Sequence, residues 1–327
     1  MPEPSRPSAA VVVATYNRPD HVRRCLDHLA AQTVTPDAVI VVDSSPGTQT
    51  RDVVAERAGV TYLRNERGAG HTATSRMIGV AAAGDVDVVA FVDDDAYAEP
   101  DWLELLLRRY DDPTVGAVGG RATNGQPGEE REGLGAIGRF LPNGTLTGHF
   151  AADPGRDVEV DHLLGANMSV RRAAVEEVGG LADHYPGTCL REETEIALRL
   201  RLAGYRILYV PEAVVEHVAG PYAKGRRFDL RYTFYGERNH LVLLGRTVGV
   251  GDVRFRRYLG VGARTALGHV RYAAVAAARR PRVFGDDSKT RGIANGLSRA
   301  GVCAAGGLAG AAALVRLGVA GELGGAR

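Results

Sequence analysis

The stretch VDVVAFVDDD, residues Val86–Asp95, joins an apolar run to three successive aspartates. The run predicts a buried β-strand over Val86–Val92. Adjacent carboxylates repel one another, so a folded chain tolerates three of them only where a cation or the solvent offsets their charge. Hard divalent cations bind carboxylate and phosphate oxygens together. Because Asp93 and Asp95 would point to the same side of an extended segment, the stretch predicts a divalent metal site, with a solvated acidic turn as the alternative.

Apolar runs alternate with helical patterns on both sides of this stretch. We predict strands at Ala9–Ala14, Val39–Asp43, Val60–Leu63, Val86–Val92, Val115–Gly119, His162–Val170, Ile207–Val210 and Ala213–His217, and helices at Asp20–Ala31, Arg51–Ala58, Thr72–Ala83, Pro100–Tyr110, Ala173–Val178 and Glu193–Ala203. Repeated strand-helix-strand units with apolar strands predict an α/β fold whose mostly parallel sheet is covered on both faces. Ligands of such sheets bind beyond the carboxyl ends of the strands. Polar clusters follow three predicted strands there, at Thr15–Asn17, Asp43–Ser45 and Asp93–Asp95.

The composition of the chain excludes several classes of protein function. The chain has 327 residues, of which 45% are hydrophobic, and its formal net charge is +1. This length supports a large core, and the balanced charge gives no indication of nucleic-acid binding. Cys25, Cys189 and Cys303 are too far apart to suggest a disulfide framework or a cysteine metal site. The N-terminus lacks the hydrophobic region of a signal peptide, and the apolar tail Ala300–Val315 is short for a membrane span. We therefore expect a cytoplasmic protein.

Five motifs, in this order and spacing, resemble those of family 2 glycosyltransferases with the GT-A fold. They are VVVATYNRP at Val11–Pro19, VIVVDSSPG at Val39–Gly47, FVDDDAYAEPDWL at Phe91–Leu103, GANMSVRR at Gly165–Arg172 and EETEIALRLRLAGYRILYVPEAVVEHV at Glu192–Val218. The resemblance covers Ala9–Val218. It implies a nucleotide-binding sheet with an Asp-x-Asp metal site, and an inverting, non-processive transfer of a sugar from a nucleotide-sugar.

The resemblance also implies which residues bind the donor. Thr15, Tyr16, Asn17 and Asp43 match the positions that hold the nucleoside. Arg76 matches an arginine near the donor diphosphate, where the planar fork of a guanidinium suits phosphate oxygens.

The metal site is implied by the same family pattern. Asp93 and Asp95 match the metal-binding pair, with Asp95 as the direct ligand, and Asp93 and Asp94 also match donor-binding positions. His217 matches a late metal-ligating histidine, and a purely structural histidine at a strand end is the alternative. The implied cofactor is Mg²⁺ or Mn²⁺.

An acidic pair opens the predicted helix after Arg191. Glu192 and Glu193 resemble the family's acidic pair, in which the second residue is the general base. The N-terminus of a helix also favours carboxylates for electrostatic reasons alone. The family usually has Asp at the second position, so the longer Glu leaves the choice of base between Glu192 and Glu193 open, and we favour Glu193.

The C-terminal third differs in charge from the rest of the chain. Tyr222–Arg299 carries 17 Lys and Arg against 5 Asp and Glu, whereas the remainder carries 23 against 34. We predict a catalytic domain over residues 1–225 and a helical, Arg-rich extension over 226–327. The basic extension could bind anionic lipid or a phosphorylated acceptor at the inner face of the membrane. It could also simply solvate helix faces, pack on the catalytic domain or form a homodimer contact.

The predicted function is the metal-dependent transfer of a single sugar, with UDP-sugar as the leading donor class, to a hydroxyl of an acceptor that is a small molecule, a glycan or a lipid-linked group. The loops Gly120–Asp161 and the segment Asp183–Leu190 are predicted to form the acceptor side. The Gln-x-x-Arg-Trp signature of processive synthases is absent, because Trp102 is the only tryptophan. Two alternatives are a non-catalytic nucleotide-sugar-binding scaffold and a sugar-nucleotidyltransferase. The segment Gly68–Ala73 also fits the dinucleotide pattern G-x-G-x-x-A, which is a weak signal here because it follows the third predicted strand.

Overall fold

A computed structural model describes residues 6–218, 230–278 and 288–324 of the chain. Within these ranges the chain forms two compact units. The first contains residues 6–140, 146–183 and 192–218, and the second contains residues 141–145, 184–191, 230–278 and 288–324. The predicted boundary between residues 225 and 226 lies outside the described residues. The assignment of catalysis to residues 1–225 therefore stays a prediction.

The described part of the first unit contains a nine-stranded mixed sheet. Its strands are β1 (Ala9–Thr15), β2 (Ala38–Asp43), β3 (Val60–Arg64), β4 (Val88–Asp93), β5 (Ala96–Ala98), β6 (Val115–Thr123), β7 (Val158–Glu159), β8 (Asn167–Arg171) and β9 (Arg206–His217). Their order is β3-β2-β1-β4-β8-β6-β9-β5, and β7 also pairs with β9. The half from β3 to β4 is parallel throughout, whereas β8 pairs antiparallel with both β4 and β6.

Helices cover both faces of this sheet. They are α1 (Pro19–Ala30), α2 (Gln49–Ala55), α3 (Thr72–Ala82), α4 (Trp102–Leu107), α5 (Arg172–Glu177) and α6 (Glu192–Leu202). Val11 and Val13 of β1 pack in the core on one face, and Val12 packs in the core on the other. Because successive side chains of a strand point to opposite faces, burial on both sides explains why these strands are continuous apolar runs.

Several predicted elements differ in extent from the structure, and the strand predicted over Val115–Gly119 continues to Thr123. The strand predicted over His162–Val170 is a strand only from Asn167, because the buried Leu163 belongs to an irregular segment that an apolar pattern cannot distinguish from a strand. The helix predicted over Pro100–Tyr110 is α-helical only to Leu107 and continues as a 3₁₀ turn. The strand predicted from Val86 begins at Val88, because the Asp87 carboxylate accepts hydrogen bonds from the amide and hydroxyl of Ser8.

The two strands predicted on either side of Pro211 are one strand, β9. Its register against β6 shifts after Gly120, so that Val210 pairs with Gly120 and Val214 with Arg121. The extra residues form a bulge that accommodates proline, which has no N–H for a sheet ladder. A Cβ on Gly120 would lie 1.8 Å from the Ala213 carbonyl oxygen, so the close approach at the bulge requires glycine.

The second unit consists of α7 (Leu230–Thr247), α8 (Val253–Ala278), α9 (Ser288–Val319) and two short segments from earlier in the chain. One segment is held on α7 by Arg238, whose guanidinium donates a hydrogen bond of 2.6 Å to the His184 carbonyl. The other is held by His240, whose Nε2 lies 2.7 Å from the Gly144 carbonyl oxygen. The predicted acceptor segment Asp183–Leu190 is thus divided, because Asp183 belongs to the first unit and the rest to the second.

Candidate active and metal-binding site

The parallel half of the sheet brings the predicted polar clusters to one edge. Thr15, the last residue of β1, pairs with Asp43, the last residue of β2. On the other side of β1, Ala14 pairs with Asp93, the last residue of β4. The clusters therefore meet at the carboxyl ends of adjacent strands, where ligands of such sheets bind.

The three aspartates do not continue as an extended segment, contrary to our expectation. β4 ends at Asp93, and Asp94 and Asp95 form a turn into the short strand β5. β5 runs antiparallel to β9 with Ala96 opposite His217, and the amide of Val218 donates a hydrogen bond of 2.9 Å to the Asp95 carbonyl oxygen. This pairing, which the sequence did not predict, places the end of β9 beside the aspartates.

Asp93, Asp95 and His217 form a group whose ligand atoms all lie within 4.8 Å of one another. The Nε2 atom of His217 lies 3.4 Å from Oδ1 of Asp95. Burial disfavours the charged forms of both groups, but their mutual hydrogen bond raises the pKa of His217 and keeps the pKa of Asp95 below its ordinary value. Two carboxylates and an imidazole are suitable ligands for a divalent cation. This group could hold a metal ion, and the Asp93 side chain, which is 35% exposed, keeps it accessible.

Asp94 is buried behind the metal-binding group. Its carboxylate accepts hydrogen bonds from the Thr15 hydroxyl at 2.7 Å and from the Arg18 guanidinium at 3.0 Å. Burial raises the pKa of Asp94 to about 7, although both hydrogen-bond donors oppose the rise. The Arg18 guanidinium also donates to Asp95 at 2.7 Å. Arg18 was missed as a site residue, although it directly follows the predicted cluster Thr15–Asn17 in the sequence.

Asp43 is completely buried at the end of β2. One of its carboxylate oxygens accepts hydrogen bonds from the amide of Ser45, at 2.8 Å, and from the Ser45 hydroxyl, and the other accepts one of 3.1 Å from the Tyr62 hydroxyl. The Ser45 hydroxyl oxygen in turn accepts the amide hydrogen of Asn17, whose φ of 55° is left-handed. Tyr16 is exposed in the same loop. Asp43 therefore shapes the loop after β1, and its contact with a nucleoside stays a prediction.

Arg76 of α3 lies buried between two acidic groups. Its guanidinium donates hydrogen bonds to the Glu192 carboxylate, to Asp93 at 3.1 Å and to the Gly165 carbonyl oxygen at 2.8 Å. A Cβ on Gly165 would lie 2.6 Å from the Arg76 Nη1 atom, so a larger residue at this position would displace the guanidinium. Arg76 thus connects the aspartates with the N-terminus of α6.

The two glutamates at the start of α6 differ in environment. Glu192 is buried, and burial raises its pKa, although the neighbouring Arg76 opposes the rise. The Glu192 carboxylate is engaged by Arg76 and closed off from solvent, whereas Glu193 is partly exposed, and the choice of Glu193 as the base stays a prediction.

A further acidic group lies next to this pair. The Asp183 carboxylate accepts a hydrogen bond from the Thr74 hydroxyl and lies 3.1 Å from Nδ1 of His71, and its charge contributes to the raised pKa of Glu192. His71 and Thr74 were not predicted as site residues. The only signal in the sequence was that Thr74 lies two residues before Arg76 in the helix predicted from Thr72.

Comparison with known proteins agrees with the predicted family and fold. The sequence model described as "Glycosyl transferase family 2" matches residues 10–179. The O-antigen chain rhamnosyltransferase RfbN of Salmonella typhimurium is 28% identical over 213 residues, which cover 63% of this chain and 65% of that protein. The N-acetylglucosaminyl-diphospho-decaprenol L-rhamnosyltransferase of Mycobacterium tuberculosis is 29% identical over 63% of this chain and 75% of its own length. The chain thus spans just under two thirds of the Salmonella protein.

A solved structure is similar along nearly the whole chain. The mannosyltransferase PcManGT from Pyrobaculum calidifontis, in complex with GDP-Man and Mn²⁺, has a TM-score of 0.60 and 19% identity, and the similarity covers 94% of this chain and 88% of that one. The predicted GT-A fold, with its C-terminal helices, is confirmed by this similarity. The family model matches more than half of the chain, including the ends of the strands β1, β2 and β4 at the candidate site. The chain therefore belongs to glycosyl transferase family 2.

Proposed function

We propose that this chain transfers a single sugar from a nucleotide-sugar to an acceptor hydroxyl, with inversion at the anomeric carbon. The observation that carries the proposal is the group of Asp93, Asp95 and His217, whose ligand atoms lie within 4.8 Å of one another. These residues come from two elements more than 100 positions apart, and they meet at the edge of the sheet where a nucleotide would bind.

Glu193 is the general base of this reaction. As the acceptor oxygen attacks the anomeric carbon, Glu193 takes its proton, and the bond between the anomeric carbon and the diphosphate oxygen breaks with its electron pair leaving on the nucleoside diphosphate. A single displacement from the opposite face inverts the configuration. The partial exposure of Glu193 supports this role, because a base must come within hydrogen-bond reach of the hydroxyl.

The donor diphosphate is bound at the aspartate turn. A Mg²⁺ or Mn²⁺ ion held by Asp93, Asp95 and His217 would supply Lewis-acid stabilisation of the charge on the departing diphosphate. Arg18 is half-exposed beside Asp94 and Asp95, where its guanidinium can neutralise the same charge. Arg76 is too deeply buried for that, and it positions Asp93 through their hydrogen bond of 3.1 Å.

We base the proposed classes of donor and acceptor on the family resemblance and on the names of the relatives. A UDP-sugar is the leading candidate from the family resemblance. The names of the two relatives above describe rhamnosyl transfer, one to an O-antigen chain and one to a diphospho-decaprenol, so a deoxysugar donor and a glycan or lipid-linked acceptor are the next candidates. A cytoplasmic location is part of the proposal, and the three free cysteines Cys25, Cys189 and Cys303 are compatible with it.

Calorimetry tests the site directly. UDP, dTDP and GDP are titrated into the wild-type protein and into Asp95→Ala, each with and without Mn²⁺. We expect one nucleotide to bind in a manner that requires both the metal and Asp95. Nucleotide binding that depends on neither the metal nor Asp95 would contradict the proposed site, and the absence of any nucleotide binding would overturn the proposed transfer reaction.

The product distinguishes transfer from nucleotidyl chemistry. The proposed reaction releases nucleoside diphosphate from a nucleotide-sugar, whereas a sugar-nucleotidyltransferase would release pyrophosphate. Two coupled assays with the base identified by calorimetry separate the activities: one measures nucleoside diphosphate released from the nucleotide-sugar and an acceptor, and the other measures pyrophosphate released from the nucleoside triphosphate and a sugar 1-phosphate. Pyrophosphate release would overturn the proposal.

A further inference from the structure

Helices α8 and α9 have an unusual charge distribution. α8 contains five arginines and α9 contains three arginines and one lysine, and neither helix contains an aspartate or glutamate. Asp286 and Asp287 stand between them in the sequence, outside the described residues. Ordinary solvated helices mix both signs of charge on their exposed faces, so two long helices with cations alone indicate an anionic partner.

α8 buries only a narrow stripe, formed by Phe255, Tyr258, Ala273 and Ala276. Large apolar side chains lie on its exposed surface, and Leu267 is 66% exposed. The exposed arginines of this helix include Arg257, Arg264 and Arg271, which are spaced seven residues apart. Residues seven apart in a helix lie on the same face. α8 therefore presents a row of arginines together with apolar side chains to solvent.

α9 packs on its neighbours through glycines. A Cβ at Gly296 would lie 2.7 Å from a backbone oxygen of α8, and one at Gly306 would lie 2.6 Å from a backbone oxygen of α7. The exposed residues Leu297, Leu308, Val315 and Val319 are separated by 11, 7 and 4 positions, which places them along one face of the helix. Leu308 is 74% exposed and Val319 is 88% exposed.

We propose that α8 and α9 bind the surface of a membrane that contains anionic lipid. The arginines would contact the lipid phosphates, and the leucines and valines would enter the boundary between headgroups and acyl chains. A second copy of the chain fits this surface less well, because two such surfaces would bring arginines together without an acidic residue of either helix between them. The inference does not depend on the proposed transfer reaction.

The two helices lie on the bilayer and do not cross it. The expectation that the apolar tail is too short for a membrane span was wrong on length, because the helical segment Thr290–Val319 is long and apolar enough to cross a membrane by composition alone. However, α9 is packed against α8, whose arginines occur along its length, with Arg264 near the middle. An arginine at the centre of a bilayer is energetically costly. At the membrane–water interface, the apolar side chains of α8 and α9 can contact acyl chains while the arginines stay among the headgroups.

Vesicle flotation with the full chain tests the proposal. We expect the protein to float with vesicles of phosphatidylcholine and phosphatidylglycerol, to float poorly with phosphatidylcholine alone and to be released by high salt. Two double variants should each lower the partition coefficient by more than about tenfold, because two arginines near an anionic surface together contribute about 2 kcal/mol and because a glutamate on the apolar face no longer enters the bilayer boundary. They are Arg264→Glu with Arg271→Glu, and Leu308→Glu with Val315→Glu.

The matched control is Leu202→Glu, which adds the same charge at a comparably exposed leucine of α6. It should float like the wild type, and circular dichroism should show native helix content in every variant. Four results would each overturn the proposal: no flotation of the wild type, unchanged flotation of both double variants, resistance to alkaline carbonate extraction, which indicates a spanning helix, or a dimer in sedimentation that the variants dissociate.

Discussion

The two units of the chain bury their apolar side chains to different degrees. Among the described residues, seventeen large apolar side chains are exposed, and twelve of them belong to the smaller, helical unit. In the first unit, both faces of the sheet are covered, as the burial of Val11, Val12 and Val13 illustrates. In the second unit, α8 has neighbours on only part of its surface, so only a stripe of this helix is buried.

The two units also differ in where their charged side chains lie and in which groups those side chains pair with. In the first unit, the buried Arg76 lies between two groups of opposite charge, Asp93 and Glu192. Four of the five arginines of α8 are exposed, the fifth, Arg254, pairs with Asp252 just before the helix, and neither α8 nor α9 contains an acidic residue. The first unit is therefore organised around internal electrostatics, and the second around a surface that suits an external partner. The following predictions test this contrast, from the largest expected effect to the smallest.

Replacing Glu193 by Gln should remove the general base without changing the shape of the site. We expect kcat to fall by about 10²–10⁴-fold, the usual contribution of general-base catalysis. Nucleotide binding by calorimetry should persist. The control Glu212→Gln alters an exposed carboxylate on β9 and should keep wild-type kcat. Near-normal turnover of Glu193→Gln would exclude Glu193 as the base.

Replacing Arg76 by Met should destabilise the first unit, because it leaves Asp93 and Glu192 without their shared counter-charge. Removal of one partner of a buried ion pair typically costs about 3–5 kcal/mol. Trp102 is the only tryptophan and is buried in the first unit, so its fluorescence during urea unfolding reports on that unit. The exposed Arg51→Met should change the free energy of unfolding by less than about 0.5 kcal/mol. An equally small effect of Arg76→Met would show that the pair is not a structural requirement.

Two neighbouring glycines of α9 should respond in opposite directions to alanine. Gly306→Ala places a Cβ 2.6 Å from the Phe234 carbonyl oxygen of α7, and overpacking of this kind costs about 1–3 kcal/mol. Gly307 has open space around the added Cβ, so Gly307→Ala should stabilise the helix by up to about 1 kcal/mol. Thermal unfolding followed by far-UV circular dichroism measures both. A higher melting temperature for Gly306→Ala would mean that α9 does not pack closely on α7.

The smallest effect concerns the start of β4. Hydrogen bonds from the Ser8 hydroxyl and amide lower the pKa of Asp87 below its ordinary value. Such a group stabilises the fold above the ordinary aspartate pKa of about 4, and this contribution is lost as the pH falls through the lower folded-state pKa. Asp87→Asn should therefore unfold at lower urea than the wild type at pH 7, and the difference should shrink below about pH 4. The control Asp85→Asn alters a carboxylate 3.9 Å from Arg172 and should show no such pH-dependent difference.

Much of the first unit could be predicted from periodicity. The strands β1, β2 and β3 and the helices α1, α3 and α6 lie within a few residues of their predicted positions, because apolar runs and helical spacing are local properties. Elements whose length depends on their neighbours were predicted less well. β8 begins only where it pairs with β4, and β9 continues through Pro211 because β6 accommodates the bulge.

The sequence by itself determined the family, the fold class and the residue types at the edge of the sheet, since these follow from motifs and local patterns. Only the tertiary structure decided how they meet. The unpredicted strand β5 pairs with β9 and brings His217 to 3.4 Å from Asp95. The partnership of Arg76 with Glu192 leaves Glu193 as the accessible acid. Such pairings depend on contacts between residues more than 100 positions apart, and no local pattern in the sequence records them.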